Sequence, residues 1–112
     1  MNEHRGEVTL TLGGTDYVLR PTFDAVEKIE RTTGLGLVSL VMRFARMEFS
    51  LSDIKAVLSH SIKAAGQKVP DNIGDMIMDA GPRNLAPICT DYLSRAMAGG
   101  ETKNAEAPAE VQ

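Results

Sequence analysis

The stretch Arg20-Pro21-Thr22-Phe23-Asp24-Ala25-Val26-Glu27-Lys28-Ile29-Glu30-Arg31-Thr32-Thr33-Gly34-Leu35-Gly36 decides the fold. Pro21 cannot donate to a sheet ladder, so a strand stops there. Thr22 can cap a helix that starts at once. Phe23, Val26 and Ile29 recur at helical spacing and define its expected apolar side. Asp24 with Lys28, and Glu27 with Arg31, are acid-before-base pairs four residues apart, which support an exposed face. Gly34 supplies the left-handed stop, and Leu35 can fold back on Ile29.

Upstream the period changes from helical to alternating. Val8, Leu10 and Leu12 share one face and Glu7, Thr9 and Thr11 the other, the pattern of a half-buried strand. Gly13-Gly14-Thr15-Asp16 is a turn and Tyr17 to Arg20 the returning strand. A two-residue loop at Gly14-Thr15 or a four-residue loop at Gly13 to Asp16 sets Leu12 opposite Tyr17 and Leu10 opposite Leu19. An isolated hairpin is marginal in water, so this one needs helices under its apolar face or a partner at its edge.

Downstream the chain reads as helices. From Gly36 to about Met47, Ser39, Arg43 and Arg46 occupy one narrow sector, and apolar residues fill the rest. That arc is wider than one core-facing stripe needs, so the helix is either central or covered on a second side by a partner. Ser50-Leu51-Ser52-Asp53 opens the next helix, with Leu51, Ile54, Val57, Leu58, Ile62 and Ala65 inward and Gly66 at its end. Asp71 or Asn72 caps a short helix to Ala80, with Ile73, Met76, Ile77 and Ala80 inward. A last helix is expected from about Asn84 to Ala98, with Pro87 in its first turn. The fold class is therefore α+β, mainly α: an N-terminal hairpin on a bundle of about five short helices. Residues 1–98 form the single domain, and residues 99–112 are expected to be a disordered polar segment.

The 112 residues suffice for one domain that holds without disulfides or metal. The formal charge of −3 offers no basic stripe for nucleic acid. One cysteine, Cys89, excludes an internal disulfide, and no apolar run spans a membrane or forms a signal core. A cytoplasmic protein is expected.

Chemistry is sparse. His4 and His60 lack a second metal ligand at helical spacing, and Ser59-His60-Ser61 has poor nucleophile–base geometry. Cys89 falls on an apolar face, and the glycines do not have phosphate-loop spacing. No catalytic residue, cofactor site or metal site is expected, and the protein is read as a non-enzyme. The candidates are partner-binding residues instead. Asp71, Asp75 and Asp79 fall on one stripe, either a solvated face or a patch for a basic partner. Val38, Met42, Ala45, Met47 and Phe49 lie on or just after the second helix, where flexible thioethers suit an adaptable surface.

The order of these features carries a resemblance. His4-Arg5-Gly6-Glu7-Val8, the Gly-rich turn, Tyr17-Val18-Leu19-Arg20-Pro21-Thr22-Phe23 and the acidic helix ending in Gly34-Leu35-Gly36-Leu37 come first. Leu51-Ser52-Asp53, Ala64-Ala65-Gly66 and a closing Ala/Leu-rich helix follow. Over about residues 3–98 the chain resembles the gene transfer agent tail proteins, which are grouped with phage tail assembly chaperones. The resemblance implies transient binding to the tail tape measure protein and other tail proteins; the wide apolar arc of the second helix and the hairpin edge also leave a homo-oligomer open as a partner mode. It implies no cofactor. A structural subunit retained in the particle is the alternative role.

Overall fold

The computed structural model describes residues 6–99. The expected 99–112 segment, beyond Gly99, and His4 lie outside the described residues. Two strands, β1 (Val8–Leu12) and β2 (Thr15–Leu19), precede five helices: α1 (Phe23–Thr33), α2 (Leu37–Ala45), α3 (Leu51–Ala64), α4 (Ile73–Ala80) and α5 (Pro82–Met97). This is the hairpin-plus-helices class that the sequence indicates.

The hairpin is antiparallel, with Val8 opposite Leu19, Leu10 opposite Tyr17 and Leu12 opposite Thr15. The register differs by two residues from the expected one. Gly13 and Gly14, at φ 61° and 81°, form the two-residue turn themselves, because a pair of positive-φ residues matches the strand twist. A shift of two keeps every side chain on its face. Val8, Leu10, Leu12 and Leu19 are accordingly buried.

Arg20 fastens this hairpin to the helices. Its guanidinium pairs with the buried carboxylate of Glu7. Its N–H donates to the Ser61 carbonyl of α3 (3.1 Å), and its carbonyl accepts from the Tyr92 hydroxyl of α5 (2.7 Å). Farther along β2, the Gln67 side-chain amide binds both peptide groups of Val18, accepting at 3.0 Å and donating at 2.7 Å. Gln67 thus stands where a third strand would, and it closes the β2 edge. Gln67→Ala leaves a partly buried N–H and C=O unpaired, with an expected cost of about 1–3 kcal/mol. Urea unfolding should show a lower midpoint at unchanged slope.

Helix α3 is the central element. It packs on α1, β2, α4 and α5, and seven of its residues are buried. Its start is a full capping box: Ser50 accepts from the Asp53 N–H, and Asp53 accepts from the Ser50 N–H. Arg43 of α2 donates to the same Asp53 carboxylate, so a residue expected in the wet sector is half-buried in an ion pair. Helix α1 is capped by Thr22, stopped by Gly34 at φ 76°, and carries both expected surface ion pairs. Glu30 then accepts from the Leu37 N–H (2.8 Å), an anion at the start of α2.

Two inward assignments and one helix start change. In α1 the buried face is Ala25 and Ile29, while Phe23 is 82% exposed. In α3 Leu51 is exposed, because it sits in the first turn beyond the reach of the core. Helix α5 begins at Pro82, where a missing N–H costs nothing, so Pro87 lies in the second turn. Pro87 and Arg83 four residues before it are exposed, and water can take the carbonyl that Pro87 leaves without a donor.

Candidate functional site

Helix α2 has two apolar sides. Leu40 and Phe44 are fully buried, and Leu37 and Val41 pack against the same core. On the other side Val38, Met42 and Ala45, spaced i, i+4, i+7, make an exposed stripe. Val38 is 61% exposed. The helix packs mainly on α5 while α3 holds the centre, so centrality does not account for its excess apolarity. The expected arc is present, and half of it faces outward.

The stripe ends on a strained residue. Met47, at φ 59°, is the sole non-glycine with positive φ among the described residues. It terminates α2 through bonds from Met47 N–H to the Phe44 carbonyl and from Glu48 N–H to the Arg43 carbonyl. That is the position where helices ordinarily place Gly. The thioether remains exposed. Phe49 departs from the expectation of a free surface group. It is half-buried, stacked on Phe44 with ring centroids 5.2 Å apart, and packs against the core.

At the other end of α2 an open groove of about 380 Å³ runs between α1, α2 and the end of α5. Pro21, Phe23, Val26, Leu37 and Ala96 supply its apolar wall, and Glu27 and Glu30 lie along it. Leu37 precedes Val38, so the groove opens where the stripe begins. Phe23 is the component that periodicity alone misassigned. The signal for it was Ala25, whose small side chain lets α1 approach α3 and turns Phe23 outward.

The acidic candidates are apart from this surface. Asp75 and Asp79 are exposed on α4, and Asp71 is exposed in the turn before it. Groups that could do chemistry are occupied elsewhere. Cys89 is buried, and desolvation pushes its thiol up to about 12, so it stays protonated at neutral pH. His60 shares a hydrogen bond of 2.9 Å with the Thr32 hydroxyl. Its pKa lies below the ordinary value, chiefly through burial and then through Lys28 and Lys63. No His/Cys/Asp/Glu group among the described residues could hold a metal ion. None of the described helices is long and apolar enough to cross a membrane.

An exposed apolar stripe with an adjoining groove is what a protein-binding domain presents. The model of the family described as phage tail tube protein, GTA-gp10, matches residues 5–99. The chain belongs to that family. It is a phage tail protein of the gene transfer agent type. The match covers the hairpin and all five helices, so the α2 surface lies within the family domain. No curated protein and no solved structure matches the chain.

Proposed function

We propose that this tail-family protein is a tail assembly chaperone. It binds apolar helical segments of the tape measure protein and keeps them from aggregating until the tube polymerises around them. The observation that carries this reading is the outward stripe Val38, Met42 and Ala45 on a helix whose opposite face already fills the core. An amphipathic or fully apolar helix can lie along such a stripe, with i, i+4 anchors on each side. The groove at Phe23 extends the contact. The role needs neither catalysis nor a cofactor. The sheet of two five-residue strands also supports it, since a ring-forming tube subunit calls for a larger sheet. Co-expression with the tape measure protein of the same gene cluster is the test. A soluble complex is expected, and a tape measure protein that stays insoluble and unbound refutes the reading.

The family's description as a tail tube protein favours a second reading, a structural subunit that stays in the particle. Copy number in finished particles separates the two.

Met47→Gly tests the surface in an unusual way. Gly accepts φ 59° without strain, so folding should gain about 1 kcal/mol. The same change removes an exposed thioether, so affinity for the helical partner should fall severalfold. Thermal melting and titration with a tape measure fragment should therefore move in opposite directions. A rise in both would remove Met47 from the binding surface.

A further inference from the structure

Strand β1 has an open outer edge. In a hairpin closed by a two-residue turn, the residues flanking the turn exchange both peptide hydrogen bonds, and alternate pairs do so along the ladder. Here those pairs are Leu12 with Thr15, Leu10 with Tyr17 and Val8 with Leu19. The peptide groups of Thr9 and Thr11 therefore point away from β2. Val18, opposite Thr9, shows the same alternation on the other strand, since its outward N–H and C=O are the groups that Gln67 binds.

Only one of the two edges is covered. Gln67 and the bond from Arg20 to Ser61 close the β2 side. On the β1 side the Glu7 carbonyl, just before the strand, accepts from Arg95 of α5 (2.8 Å). The N–H and C=O of Thr9 and of Thr11 have no hydrogen-bond partner among the described residues. Edge strands are ordinarily blunted by a charged side chain, a proline or a bulge. Val8-Thr9-Leu10-Thr11-Leu12 has none of these, and its pairing with β2 is unbroken.

We infer that β1 pairs antiparallel with β1 of a second copy, Thr9 of each chain opposite Thr11 of the other and the twofold axis at Leu10. In that register every open donor meets an open acceptor, because Thr9 and Thr11 exchange both bonds on each side of the axis. Leu10 meets Leu10 and Val8 meets Leu12 on the apolar face, and the exposed face gains Thr–Thr pairs. Neighbouring registers fail. A slip of two residues one way sets Thr9 against Gly13, which the turn holds at φ 61°. A slip the other way sets Thr11 against Glu7, whose carbonyl Arg95 occupies.

The edge favours a second copy over a foreign strand. Its exposed side chains are Thr9 and Thr11, which offer neither a pocket nor a charge to read an unrelated sequence. A second copy brings a strand already held extended by its own fold, whereas a flexible segment must order its backbone on binding. The assembly is also closed. Pairing consumes both β1 edges and Gln67 covers the β2 edges, so the product is a dimer with a four-stranded sheet rather than a fibre. The contact is short, so the dimer exchanges with monomer. It involves no residue of the α2 stripe and does not rest on the chaperone reading.

Analytical ultracentrifugation of the full chain over a range of concentrations is the test, with amide spectra of the same samples. A monomer–dimer equilibrium is expected, and the Thr9 and Thr11 amides should move with concentration. Thr9→Pro removes an open donor that the fold itself does not use, and should weaken the dimer about tenfold or more while the melt stays cooperative. Thr9→Lys with Thr11→Lys sets like charges across the axis on an exposed face, and should weaken it similarly, with partial recovery at high salt. A chain that stays monomeric into the millimolar range overturns the inference, as does a dimer that both variants leave intact. Concentration-dependent shifts at Val38 and Met42 instead assign self-association to α2 and overturn it too. So does protection of the Thr9 and Thr11 amides that appears only when the tape measure protein is added, since the edge then takes a foreign strand.

Discussion

Val38→Asp combined with Met42→Asp is expected to cut affinity for an apolar helical partner by about a hundredfold, with the cooperative melt nearly unchanged. Both side chains lie on the exposed side of α2, so the fold loses little packing when they go. Surface substitutions of this kind stay within about 0.5 kcal/mol, and a carboxylate in place of Val38 would sit in the first turn of α2, where the helix dipole favours it. Binding is affected differently. Each apolar anchor lost from the centre of an interface costs about 1–2 kcal/mol or more. Each introduced carboxylate adds the cost of burial without a partner. Leu40→Asp is the contrasting change, because Leu40 is fully buried and its loss should unfold the domain. Circular dichroism melts with a binding titration distinguish the outcomes. A double variant that loses its melt would place Val38 and Met42 in the core.

Tyr92→Ala is expected to remove about 3–5 kcal/mol of stability, a large share of the ~5–15 kcal/mol typical of a domain. Tyr92 is the largest fully buried side chain, and its hydroxyl holds the Arg20 carbonyl at the point where the hairpin meets the bundle. Burial raises the phenol's pKa, so it remains a neutral donor across the working pH range. Tyr92→Phe keeps the packing and loses only the bond, which leaves a carbonyl unpaired for about 1–3 kcal/mol. Guanidinium unfolding of the two variants separates the packing contribution from the bond. If the two cost the same, the ring contributes little and the tie at Arg20 dominates.

The sequence was most legible where single residues act locally. Thr22, Gly34, Ser50 and Gly66 punctuate the helices because caps and stops depend on near neighbours. The excess apolarity of α2 was visible as an arc too wide for one core. What it served depended on α3 taking the central place, which is a matter of tertiary packing. Phe23 and Leu51 looked inward by periodicity and are exposed, since the orientation of a first turn is set by what it packs against. Phe49 looked like a link residue and stacks on Phe44 from beyond the end of α2. The bonds from Gln67 to Val18 and from Tyr92 to Arg20 span 49 and 72 positions in sequence and had no local signature.

Copy number in finished particles tests the central claim most directly. Quantitative mass spectrometry should be run on purified gene transfer particles and on the lysate of the producing cells. The chaperone account predicts that the protein is plentiful in the lysate, associated with the tape measure protein, and absent from finished particles. Many copies per particle, in step with the tube subunit, would contradict it and make the protein a component of the tail itself.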